Sequence, residues 1–143
     1  MKKIFFLFMI MILLISCNKN CKEETMNKPE IKKQSLVIFW TSGDPEVFNK
    51  VVFPYGLNSV KNNWWDDVEL LIWGPSVKTL SDNPELQEKI TELKNTGLIL
   101  TSCLWCADEY HATEILKKLD VDVKYMGKPL TDYLQSDRKI ITF

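Results

Sequence analysis

Two of the four cysteines in this 143-residue chain stand three positions apart, in Cys103-Leu104-Trp105-Cys106. The flanking residues predict that a strand hands over to a helix at this point. Open backbone N–H groups and the positive end of a helix dipole favour a thiolate, so a lowered cysteine pKa is expected. A thiolate attacks sulfur, which opens three chemistries to the pair: carrying sulfur, cycling as a redox dithiol, or holding a metal. Metal fits worst. Cys103, Cys106 and His111, the only histidine, supply three ligands at most, where a closed zinc site wants four. The helical step from Cys106 to His111 also turns the imidazole away, so His111 is expected on a helix surface.

The elements that must position these thiols follow from apolar runs and their punctuation. Leu36 to Trp40 is a continuous β-rich run closed by Thr41-Ser42-Gly43-Asp44-Pro45, as suits a strand covered on both faces. Asp44 then reads as a helix N-cap with proline at the first helical position. The helix is expected from Pro45 to about Asn62, with Val47, Val51, Val52 and Leu57 inward and Pro54 as an interior residue that kinks it. Asp67 to Trp73 is a second buried strand that stops at Gly74-Pro75. Pro84 to Asn95 places Leu86, Ile90 and Leu93 at helical spacing, Gly97 ends that helix, and Leu98 to Thr101 is the next strand. Ala107 to Leu119 predicts a third main helix with Ala112, Ile115, Leu116 and Leu119 on one side. Residues 121–125 and 139–143 are shorter strands around a small helix at Pro129 to Gln135.

Five strands alternating with helices imply an α/β three-layer sandwich on a mainly parallel sheet, of flavodoxin-like or Rossmann-like topology. Ligands in such sheets collect beyond the carboxyl ends of the strands, near the point where strand order reverses. That rule nominates the loops Thr41 to Asp44, Gly74 to Val77 and Ser102 to Cys106. Ser42, Gly43, Gly74, Pro75 and Trp105 in these loops are the expected pocket residues, together with Tyr110 beyond the last of them. For Ser42 and Asp44, helix capping is the plainer role. Trp40 and Trp73 read as core or pocket walls, and the adjacent Trp64-Trp65 as a subunit interface or ligand edge.

Charge excludes one class of partner. With 18 basic against 19 acidic residues and a net charge of −1, the chain lacks the cationic surplus that nucleic-acid binding needs. The amino-terminal segment reads as an address. Lys2 and Lys3 precede an unbroken apolar stretch from Ile4 to Ile15, about 18 Å as a helix and too short for a hydrocarbon layer of about 30 Å. Leu14-Ile15-Ser16-Cys17 resembles a bacterial lipobox, which implies a signal peptide over residues 1–16 and lipidation of Cys17. Asn18 in place of aspartate favours the outer membrane of the cell envelope, and Lys22-Glu23-Glu24 resembles a surface-export signal of Bacteroidetes-type lipoproteins. Residues 17–34, poor in anything to bury, are expected to tether a folded domain over residues 35–143. Cys21 is expected as a free or intermolecular thiol.

The domain as a whole resembles the DsrE/DsrF-like family. The resemblance rests on Gly74-Pro75-Ser76-Val77 after the second strand, the Cys103-x-x-Cys106-Ala107 junction, and the run from Val123 to Thr131 before the last helix. It implies sulfur uptake at Cys103 and onward transfer, with a sulfur donor or acceptor protein or a small thiol as partner, no cofactor, and assembly as a trimer or hexamer. Cys106 would resolve the persulfide or merely pack, and Ala107 and Asp108 amides would stabilise the anion, with Trp105 and Tyr110 shielding the site. The sequence lacks the arginine-rich stretch that several relay proteins carry after the cysteine, having Asp108-Glu109-Tyr110-His111 instead. A thioredoxin fold is disfavoured, since there the motif follows an early strand of a mixed sheet. The alternative to sulfur handling is a non-catalytic ligand-binding or assembly module on the same fold.

Overall fold

The computed structural model describes residues 34–143. The expected signal peptide, Cys17, Cys21 and the tether up to residue 33 lie outside the described residues. Among the described residues no helix is long and apolar enough to cross a membrane.

Five strands, β1 (Leu36–Trp40), β2 (Val68–Ile72), β3 (Ile99–Cys103), β4 (Asp122–Lys124) and β5 (Lys139–Thr142), form one sheet in the order β4-β3-β2-β1-β5. Every pairing is parallel. Ile38 lies beside Leu70 and Leu70 beside Leu100, while Trp40, Ile72 and Ser102 form the next row. With this register the chain leaves β1, β2 and β3 at one common edge, so their three following segments run side by side. Strand order reverses between β1 and β5, and the crevice expected there is closed by backbone: the Thr41 and Ser42 amides both donate to the Phe143 carbonyl.

The first helix, α1, runs without a break through Pro45–Val47, a π turn over Phe48–Val52, and Phe53–Lys61. The π turn ends at Val52, one residue short of the Phe53-Pro54 step. Proline removes one N–H and crowds the carbonyl four residues back, and widening the preceding turn relieves both. It also moves the buried face. Phe48, Val52, Gly56 and Ser59 point inward, and Val51, expected inside, is exposed. Gly56 allows close approach to the sheet, since a Cβ there would stand 3.3 Å from Leu98 and 3.5 Å from Ile38.

The segment from Gly74 to Val77 is not a loop: Pro75 opens a helix, α2 (Pro75–Asp82), which runs on to α3 (Pro84–Asn95). The helix expected from Ala107 to Leu119 is two shorter ones, α4 (Leu104–Glu109) and α5 (Thr113–Lys118). They break at His111, whose φ of 53° is left-handed, and Asp108 accepts from the Thr113 hydroxyl across the break. A last helix, α6 (Gly127–Leu134), precedes β5. Because strand side chains alternate, α1 covers the face of Ile38 and Trp40 while α6, through Tyr133, covers the opposite face of Glu69. The architecture is the three-layer α/β sandwich.

Glu69 stands inside β2 and is buried. A buried carboxylate needs partners. The chain's only arginine, Arg138, donates to it at 2.6 Å, Thr101 at 2.7 Å and the Tyr133 phenol at 3.3 Å. Arg138 also bonds Asp67 at 2.7 Å and lies 4.6 Å from the Tyr133 ring centre, and the Ser35 hydroxyl donates to Asp67. Burial and the nearby Glu69 carboxylate push the Tyr133 phenol up, so it remains a donor. This cluster clasps β5 and α6 to β2 at the edge opposite the cysteines. Arg138→Ala strands the Glu69 charge and is expected to cost about 3 kcal/mol in urea unfolding. A loss below about 0.5 kcal/mol would show that the clasp does not hold the fold.

Candidate functional site

Cys103 is the last residue of β3 and the residue that caps α4, and Cys106 lies one turn into that helix. Both are free thiols. Both are buried, with exposures of 4% and 2%. The Gly74 amide donates to Cys106 Sγ at 3.3 Å, joining the end of β2 to the start of α4. Gly74 has φ 67° and ψ −134°, a conformation that only glycine adopts without strain. Its place between β2 and Pro75 turns the chain sharply enough to aim that N–H at the sulfur.

Hydrogen bonds lock the neighbouring strand ends to the same unit. The buried Ser76 hydroxyl donates to the Trp40 carbonyl at 2.7 Å and accepts from the Trp73 amide at 3.0 Å. Thr79 donates to the Gly43 carbonyl at 2.8 Å, and a Cβ at Gly43 would sit 3.2 Å from that of Pro75. The Ser102 hydroxyl donates to the Ile72 carbonyl. Ser76, quoted only within the Gly74-Pro75-Ser76-Val77 motif, and Thr79 had no role assigned from the sequence; the clue to both is a small hydroxyl in the first two turns after Gly74.

Of the expected pocket residues, Gly43, Gly74 and Pro75 are brought together, and Gly74 reaches Cys106. Ser42 and Asp44 serve the helix: the Ser42 hydroxyl accepts from the Asp44 amide and Asp44 from the Glu46 amide. Trp105 is 62% exposed and Tyr110 38% exposed. Trp40 is core, its ring 4.6 Å from Phe48, whereas Trp73 is partly buried edge-on to Phe39. Trp64 is half-exposed beside Tyr55, and Trp65 packs against the core. A groove of about 460 Å³ lies at the opposite edge, between Lys94, Ile99 and Asp120. Among the described residues no group of three or more His, Cys, Asp or Glu side chains is placed to hold a metal ion.

Electrostatics at Cys106 run against the expected lowering. Burial pushes its thiol up, the Gly74 amide pulls it back in part, and the neighbouring Cys103 sulfur pushes it up again. The helix start is a weak opponent, because α4 has only six residues. Its first residue is Leu104, three positions earlier than expected. The amides left open by helix geometry are thus those of Leu104, Trp105 and Cys106 rather than Ala107 and Asp108.

No protein-family model matches the chain, and no curated protein matches it. Among solved structures, BT1422, a conserved protein of unknown function from Bacteroides thetaiotaomicron, is 31% identical, with a TM-score of 0.75. That likeness covers 77% of this chain and 95% of BT1422. The ychN protein from E. coli, of DsrE-like fold, is 15% identical with a TM-score of 0.51, over 78% of this chain and all of its own. At that identity the likeness is one of fold, and it supports a DsrE-like fold here.

A raised thiol pKa keeps Cys106 protonated at neutral pH, and alkylation needs the thiolate. In a Cys103→Ser variant, iodoacetamide labelling of Cys106 is therefore expected to be slow at pH 7 and to rise only as pH passes above the ordinary thiol range. Mass spectrometry of the labelled peptide checks this, and rapid labelling at pH 7 would contradict it.

Proposed function

The chain belongs to the family of the Bacteroides thetaiotaomicron protein BT1422, and on that premise we propose that it handles sulfur or thiol redox state through Cys103. The observation that carries the reading is the pairing of two thiols at one strand-to-helix junction, with a backbone amide directed at the second. The DsrE-like fold supports the same chemistry. Cys103 is the attacking member and Cys106 the protonated one.

In the proposed step the Cys103 thiolate attacks the outer sulfur of a persulfide, R–S–SH. A new S–S bond forms at Cys103, the donor's S–S bond breaks, and R–S⁻ departs with the bonding pair. The product is Cys103–S–SH. It passes its outer sulfur to an acceptor thiolate by the same exchange in reverse, or Cys106 gives up its proton and attacks the inner sulfur: the Cys103–Cys106 bond forms, the persulfide S–S bond breaks, and the departing sulfide takes the proton and leaves as hydrogen sulfide. In this reading the Cys106 thiol, which accepts from the Gly74 amide, donates a hydrogen bond to the charged sulfur. Burial of Cys103 favours small polysulfides or small thiols over a protein donor that must seat directly on the sulfur.

The site would work at the cell envelope, with the domain carried on a lipid attached to Cys17 and assembled as a trimer or hexamer. The lipobox-like Leu14-Ile15-Ser16-Cys17 supports the first point and the family resemblance the second. A ligand-binding or assembly module without catalysis is the alternative, favoured by the burial of both thiols and the exposure of Trp105.

Exposure of the reduced protein to polysulfide is expected to add one sulfur, about 32 Da, to Cys103. The adduct should vanish in Cys103→Ser and persist in Cys106→Ser. Absence of an adduct on either cysteine would sink the sulfur reading and leave the binding module.

A further inference from the structure

The two sulfurs also form a ligand set for a metal that asks for no more than two donors. Cys106 is the third residue after Cys103, one turn into the helix that Cys103 caps, and the two sulfurs are close enough for that of Cys103 to act on the Cys106 proton. Zinc is poorly served, because among the described residues no third His, Cys, Asp or Glu joins the pair and a zinc site wants four ligands. His111 sits in the exposed turn beyond α4. Soft thiolates select monovalent copper, and Cu(I) is satisfied by two of them in a line.

We propose that Cys103 and Cys106 bind one Cu(I) ion as a two-coordinate dithiolate, with the Gly74 amide as its outer hydrogen-bond donor. Both thiols give up their protons to the solvent and no electron moves: Cu⁺ and two thiols yield a bis-thiolate of net charge −1 and two protons. The Gly74 N–H, 3.3 Å from Cys106 Sγ, offsets part of that charge, as outer-shell donors do in metal sites. Burial of both sulfurs keeps water and competing oxygen ligands from the ion and protects it from oxidation. The site shares its atoms with the proposed sulfur chemistry but does not depend on it, because binding requires only that both sulfurs face one point.

The test is an anaerobic titration of the reduced protein with Cu(I) buffered by bathocuproine disulfonate. One Cu(I) per chain is expected to leave the chelator. Cys103→Ser and Cys106→Ser should each weaken binding by more than about 100-fold, beyond what loss of an outer-shell partner costs. X-ray absorption on the wild-type complex provides a readout that no variant's folding can disturb, and it should count two sulfur neighbours and no nitrogen or oxygen. Failure to compete with the chelator, retention of wild-type affinity by either variant, three or more sulfur neighbours, or one copper shared between two chains would each overturn the assignment. Polysulfide labelling of Cys103 in a protein that takes no Cu(I) would refute this site while leaving the sulfur reading standing.

Discussion

A single hydrogen bond from the Gly74 amide to Cys106 Sγ ties the end of β2 to the first turn of α4, and the geometry of the thiol pair depends on it. Several features exist to make it. The parallel register ends β1, β2 and β3 in line, so the two segments start from adjacent positions. Gly74 takes a backbone conformation closed to other residues, and Pro75 commits the chain to helix in the next step. Ser76 and Thr79 then fasten that helix to the last residue of β1 and to the segment after it. One such bond contributes about 1 kcal/mol or less, so it selects an orientation more than it holds the fold together.

The two edges of the sheet use different physics. At the amino edge an arginine, two carboxylates, a phenol and two hydroxyls satisfy one another around Glu69, and the charges hold β5 in place. At the carboxyl edge the contacts are neutral: amides, hydroxyls, carbonyls and two thiols. No buried cation stands among the hydrogen-bond partners of Cys106, and burial therefore governs its proton.

The alternation of buried strands and helices was legible because parallel strands covered on both faces leave unbroken apolar runs. β1 and β2 and the Pro84–Asn95 helix lie where those runs and their caps place them. Pro54 announced an irregularity, but periodicity alone does not distinguish a kink from a π turn, and the turn it takes exchanges Val51 for Phe48 on the buried face. Gly74-Pro75-Ser76-Val77 looked like a loop because glycine and proline punctuate loops and helix starts alike. The start of α4 was placed three residues late because Ser102 to Cys106 read as the loop between strand and helix. The junction itself was legible from Cys103 and Cys106, whereas their burial was not, since it depends on what α2 and the neighbouring strands bring over them. Glu69 had a readable signal: a carboxylate inside an apolar run, in a chain with one arginine.

Amide hydrogen exchange at Gly74 tests the central contact most directly. If the bond to sulfur organizes the junction, the Gly74 N–H exchanges slowly in the reduced protein, and Cys106→Ala accelerates it while Trp73, held by the Trp40 carbonyl and Ser76, stays protected. A Gly74 amide that exchanges like an open loop in the wild type, or that is indifferent to the loss of the sulfur, would contradict the account.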